Sequence, residues 1–175
     1  LVLGGFAMAA PGDRTEIPVV TAGSVQDGYS LVGQWQFQEG DELRWASPGY
    51  DDSAWRGQLV PGPWPDKDYP EAGQFAWYRL TLQFDLDSPN HLADLGHLGV
   101  AMGKVMSAYE LYAGGRLLGG VGKLPPLNEI NYDYKAVFEI PEDAVDANGK
   151  LVLALRVWSG SANAIRNFGG GAYEG

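Results

Sequence analysis

The sequence contains no cysteine. That removes disulfide crosslinks, thiolate metal sites and a cysteine nucleophile at once. Histidine is nearly as scarce: His91 and His97 stand six apart and form no metal-binding motif. Charged residues make up 19% of the chain, against roughly 25% in an average globular protein. Within that share acids outnumber bases, 22 to 12, for a formal net charge of −10. No cluster of Lys and Arg offsets this locally, so a phosphate backbone would be repelled and nucleic acid is excluded as a partner. No apolar run approaches the ~20 residues of a bilayer-crossing helix. Membrane contact is therefore expected only through regions outside this sequence.

Glycine and aromatic residues fill the gap. The chain of 175 residues carries 25 Gly, 11 Pro, 6 Trp and 9 Tyr, and 45% of it is hydrophobic. That length suits one domain with a real core, and the glycine excess implies many turns. Leu1-Val2-Leu3-Gly4-Gly5-Phe6 is an apolar run, and Ala7-Met8-Ala9 follows it as a small-residue pattern. This resembles the end of a secretory signal cleaved after Ala9 or Ala10. The expectation is an exported protein, periplasmic or extracellular, with residues 1–10 as a signal remnant. The absence of cysteine is compatible with an oxidising compartment. Residues 11–28 read as a leader arm with a short strand at 17–20, and residues 29–175 as the folded domain.

Within that domain apolar residues recur with period two, the mark of strands. Across Phe75–Phe84, Tyr78, Leu80, Leu82 and Phe84 share one face, and Arg79, Thr81 and Gln83 the other. Residues 151–158 place Leu151, Leu153, Leu155 and Val157 inward and Arg156 outward. Similar alternation marks residues 95–102, 109–113 and Ala136–Ile140, with Gly114-Gly115 as a hairpin turn. No stretch of twelve residues carries an amphipathic helical stripe; residues 142–147 allow one turn after Pro141. Trp35, Trp45 and Trp55 are ten residues apart, but the residues between them do not match, so there is no repeat. The fold class is all-β, an antiparallel β-sandwich of jelly-roll type.

Three segments, in order, carry a family resemblance. The first is Trp35-Gln36-Phe37 with Gly40-Asp41, continuing to Trp45 and to Asp51-Asp52-Ser53-Ala54-Trp55. The second is Val60-Pro61-Gly62-Pro63-Trp64, leading to Ala76-Trp77-Tyr78-Arg79. The third is Ala108-Tyr109-Glu110-Leu111-Tyr112, then Phe138-Glu139-Ile140-Pro141 and Leu153-Ala154-Leu155-Arg156-Val157. Together they resemble the galactose-binding-like β-sandwich that forms the sugar-binding domain of family 2 glycoside hydrolases. The same module is similar to periplasmic sensor regions ahead of bacterial diguanylate cyclases and kinases. The resemblance implies a binding module rather than an enzyme, since the catalytic barrel of those hydrolases is missing. The loop after the last quoted strand, which can offer the sugar a carboxylate in the hydrolases, has no acid at residues 159–169.

The expected function is thus a non-catalytic, extracytoplasmic ligand-sensing domain of a membrane signalling protein, with a carbohydrate or small polar ligand. The alternative is an accessory carbohydrate-binding domain of a secreted family 2-like hydrolase; a third reading is a domain for dimerisation or partner contact only. Sugars stack on exposed aromatic faces while polar side chains hold their hydroxyls. Strand parity and loop position select Trp64, Tyr69, Trp77 and Trp158, with Tyr132 and Phe168 beside them, as exposed aromatics. Arg79, Glu110, Arg156, Arg166 and Asn167 are the polar partners, Arg79 needing a carboxylate such as Glu110 or Asp52. Trp35, Tyr78 and Tyr109 are assigned to the core. Asp51-Asp52-Ser53 is read first as a turn that lets Trp55 fold back onto the sheet.

Other chemistries fare worse. Gly119-Gly120-Val121-Gly122-Lys123 ends in Leu124 where a phosphate loop needs Ser or Thr, and no G-x-S-x-G elbow exists. No cofactor is expected beyond a structural calcium, for which Asp41, Glu42, Asp51 and Asp52 could supply oxygens.

Overall fold

The computed structural model describes residues 16–21, 24–25, 27–63, 74–85, 97–105, 108–131, 134–160 and 171–172. Eleven strands are found among them. They are β1 (Val19–Val20), β2 (Gly33–Glu39), β3 (Arg56–Val60), β4 (Gly62–Pro63), β5 (Phe75–Phe84), β6 (Leu98–Met102), β7 (Ala108–Ala113), β8 (Arg116–Val121), β9 (Ala136–Ile140), β10 (Lys150–Trp158) and β11 (Gly171–Ala172). Two short 3-10 turns, Leu43–Ala46 and Glu142–Ala144, are the only helical elements of three or more residues among the described residues.

The large sheet runs β3-β2-β5-β10-β7-β8, with β1 added beside β5. Its path is antiparallel throughout; β1 alone joins in parallel, through Val19–Gln83 and Val20–Phe84. The period-two pattern fixes which residues of each strand share a face. Tyr78, Leu80, Leu82 and Phe84 of β5 meet Leu151, Leu153, Leu155 and Val157 of β10 in one hydrophobic core. The pair β6–β9 covers that face, contributing Val100 and Ile140. Two layers around one core make the molecule a β-sandwich. Trp35, Tyr78 and Tyr109 lie in this core, as their parity requires.

The hairpin between β7 and β8 turns at Gly114-Gly115, with φ of 56° and 86°. Two consecutive positive φ values suit the right-handed twist of the flanking strands and are cheap only for glycine or Asn. Gly119 and Gly120 belong to the end of β8 and Gly122 directly follows it, in a strand end rather than a phosphate loop. A Cβ on Gly120 would lie 2.2 Å from the Tyr109 carbonyl oxygen, so these glycines let two strands approach closely.

The small sheet is two strands wide among the described residues, whereas the sheet it covers is seven. At the end of the sandwich under residues 28–32 the layers part around a cavity of about 440 Å³. Its described lining is drawn almost wholly from Val, Leu, Ile, Met, Phe, Trp and glycine.

Candidate functional site

The opposite face of the large sheet holds the polar residues singled out from the sequence. Register places Gln38, Trp77, Arg156 and Glu110 in one cross-strand row over β2, β5, β10 and β7. The next row is Gln36, Arg79, Ala154 and Tyr112. Five expected site residues, Trp77, Arg79, Glu110, Arg156 and Trp158, therefore share one face.

That face is not open. Residues 41–55 fold across it, and Trp45, Ala46 and Trp55 pack with Trp77, Tyr112 and Ala154 into a second core. Trp45 meets Trp55 edge-on at 5.1 Å and Trp77 at 6.3 Å between ring centroids. The expectation that Trp77 is an exposed stacking platform is corrected: its exposure is 0%. Parity assigned its face rightly, but a covered outer face is a core. Trp158, expected to be exposed, is 5% exposed. It ends β10 next to Ser159, itself buried and bonded to Gln74.

Arg79 is the anchor of the covering segment. Its guanidinium is 1% exposed. Nε donates to Asp52 Oδ2 at 2.6 Å; Nη1 donates to the carbonyl oxygens of Trp45 and, at 3.1 Å, Ser47. Nη2 reaches the Tyr50 carbonyl at 3.5 Å. The rings of Tyr50 and Trp55 lie 5.7 and 5.9 Å from the cation. Asp52, one of the two carboxylates foreseen, is the partner; the other, Glu110, serves Arg156. Asp51 Oδ1 accepts from the Ser53 N–H at 3.0 Å, the expected Asx turn, and Trp55 does fold back onto the sheet.

Arg156 sits at the rim. Nε and Nη2 form a fork on Asp41, both at 2.6 Å, while Nη1 donates to Glu110 Oε2 at 3.0 Å. Its cation lies 4.7 Å from the Phe75 ring centroid. Burial lowers the guanidinium pKa, but the bonds to Asp41 and Glu110 outweigh it and hold the group charged. Glu110 Oε2 also accepts from the Tyr112 hydroxyl at 2.8 Å. Burial first, then Glu110, pushes the Tyr112 phenol up to about 12. Asp41, Tyr112 and Phe75 were not foreseen as partners of this cluster. Tyr112 and Glu110 share strand parity, which was readable; the reach of Asp41 from a distant turn was not.

The four acids considered for calcium do not converge. Asp41 is held by Arg156, Glu42 by Arg44, Asp52 by Arg79, and Asp51 caps its own turn. Among the described residues no group of three acids or histidines is placed to hold a metal ion. These residues do not fit the ion. His97 pairs with Glu139 at the surface.

Trp64, Tyr69, Arg166 and Asn167, with Tyr132, Phe168 and His91, lie outside the described residues. The anchors of two segments that carry four of them are described. Gly171 pairs with Pro63 and Ala172 with Gly62, joining the start of segment 64–73 to the end of segment 161–170. At their other ends, Gln74 N–H donates to Ser159 Oγ at 3.0 Å and Ser159 N–H to the Gln74 carbonyl at 2.8 Å. The described residues that flank the two segments are thus paired at both ends, with Gln74 and Ser159 adjoining Phe75 and Trp158.

The chain matches no protein-family model and no curated protein. It is similar in fold to solved family 2 glycoside hydrolases. A family 2 member from Bacteroides cellulosilyticus is 21% identical, with a TM-score of 0.62 over 82% of this chain and 19% of that one. Bacteroides uniformis β-glucuronidase 2, solved covalently bound to cyclophellitol-6-carboxylate aziridine, is 20% identical, with a TM-score of 0.62 over 83% of this chain and 17% of that one. Bifidobacterium dentium β-glucuronidase, complexed with coumarin-3-O-glucuronide, is 18% identical, with a TM-score of 0.54 over 74% of this chain and 19% of that one. The sandwich resemblance read from the sequence thus holds at the level of the fold. The chain spans less than a fifth of the length of each of these enzymes.

Proposed function

We propose that this chain is a non-catalytic accessory sandwich that presents a carbohydrate-contacting edge within a larger exported protein. The observation that carries the reading is the pairing of the residues that flank segments 64–73 and 161–170: Pro63 with Gly171, Gly62 with Ala172, and Gln74 with Ser159. Trp64 and Tyr69 belong to one of these segments, Arg166 and Asn167 to the other. Stacking rings together with hydroxyl-binding groups are what sugar recognition uses.

The likeness to hydrolase chains supports an accessory role, because the shared part is a small fraction of each enzyme. Glycoside cleavage needs two carboxyl groups flanking the scissile bond, roughly 5–9 Å apart. On the covered face Asp41, Glu110 and Asp52 are engaged by arginines instead. The signalling reading rests on the family resemblance alone, and export on the small-residue pattern at Ala7-Met8-Ala9.

The test is intrinsic tryptophan fluorescence against a panel of neutral sugars and uronic acids, beside an assay for aryl-glycoside cleavage. The expected result is saturable binding of at least one sugar, weakened about tenfold or more by Trp64→Ala or Arg166→Ala, with no cleavage. Cleavage by the purified chain would overturn the non-catalytic reading. A panel without any saturable response would overturn the carbohydrate reading.

A further inference from the structure

We propose that the cavity between the two sheets is a binding site for a small neutral apolar ligand, an alkyl chain in particular. The site does not depend on the carbohydrate reading, since it lies on the other face of the large sheet. Phe84 and Leu153 form one wall, Val100 and Met102 the other. None of its described lining residues is Asp, Glu, Lys, Arg or His, so a charged or highly hydroxylated molecule would lose its water there without compensation.

Two details give the site a direction. Trp35 lines it and is 3% exposed; its Nε1–H is already satisfied by the Leu31 carbonyl at 2.9 Å. The indole therefore offers the cavity only apolar contact. At the other extreme Tyr29 and Val32, 36% and 52% exposed, belong to the lining, as does Ser30. Tyr29, Ser30 and Val32 thus mark the solvent-side mouth. A ligand with an apolar body and one polar end would enter body first and leave that end beside them. The volume, about 440 Å³, lies at the small end of the ~300–1,000 Å³ typical of ligand pockets. A slim chain fits that size better than a sterol-sized body.

Such a chain could be free or the tail of a glycoside, and the experiment separates the two. The purified protein is titrated with the neutral fluorophore N-phenyl-1-naphthylamine, followed by its emission on excitation of tryptophan. Saturable uptake at one site per chain is expected. Displacement by 1-decanol and by decyl glucoside alike assigns the chain alone as the ligand. Displacement by decyl glucoside only assigns a glycoside tail. Val100→Phe, which fills the cavity, and Val32→Glu, which charges the mouth without touching the packed core, should each weaken uptake about tenfold or more. Leu43→Glu, on the opposite face of the sheet, should leave it unchanged. Should Val100→Phe fail to fold, Val32→Glu decides. The proposal is overturned by absence of saturable uptake, by uptake indifferent to Val32→Glu, or by equal loss in Leu43→Glu.

Discussion

The two faces of the large sheet are both dry, but they are dried by different means. The inner face is closed by apolar side chains, mostly aliphatic, of β5, β10 and β6–β9, whose attraction depends on area and hardly on direction. The outer face is closed by tryptophans and by a buried arginine that takes the carbonyl oxygens of Trp45 and Ser47 and the carboxylate of Asp52. Its closure depends on direction, because the guanidinium N–H groups must find their acceptors once water has gone. The contrast teaches that one sheet can tolerate sequence change on one side and resist it on the other.

Breaking the outer closure is expected to have the largest effect. Arg79→Met leaves Asp52 and two carbonyls without their donor and should cost about 3–5 kcal/mol in urea unfolding. Arg79→Lys should recover only part of this, since an ammonium cannot reproduce the fork. The matching change on the inner face, Leu153→Met, conserves volume and should cost less than about 1.5 kcal/mol. Equal losses for Arg79→Lys and Leu153→Met would erase the distinction drawn here.

The smallest effect lies in the alkaline range. Tyr109 faces the inner core and burial alone pushes its phenol up to about 12; Tyr112 reaches about 12 through burial and then Glu110. In both cases the folded value exceeds the ordinary 10.0, so the unfolded chain releases the proton first. Their contribution to stability is full below pH 10 and is lost as pH rises through about 12. Glu110→Gln should bring Tyr112 part of the way back and leave Tyr109 where it is. Tyrosinate absorbance, assigned with Tyr109→Phe and Tyr112→Phe, reads this out; a shift in both tyrosines would mean that the faces are electrostatically coupled.

Much of the strand layout was legible. Phe75–Phe84 is one strand with the bounds its alternation predicts, and residues 151–158 differ from β10 only by the addition of Lys150. These segments are readable because a half-polar strand declares its two faces residue by residue. Strand β3 was not, since Arg56, Gly57 and Gln58 carry no apolar alternation and pair only because β2 lies alongside. The site was less legible than the fold for a related reason. Trp77 and Arg79 alternate correctly, but alternation cannot say whether a face meets water or residues 41–55. That segment has no period of its own; its shape comes from an Asx turn, a 3-10 turn and Arg79, which is 27 residues beyond Asp52 in the chain. Arg156 and Asp41, 115 residues apart, are a sharper case, for nothing near either announces the other.

The position of β10 has a consequence for how the molecule comes into being. It lies between β5 and β7 in the sheet, yet it is the last long strand of the chain to be made among those described. Until residues 150–158 exist, the strands on either side have no shared neighbour, and Leu80, Leu82 and Leu111 lack the Leu151, Leu153 and Leu155 part of their core. A nascent chain that stops short of Lys150 therefore holds two unpaired half-sheets rather than a smaller version of the domain. Such pairings between distant residues form late and slowly, so this sheet closes only once residues 150–158 have been made.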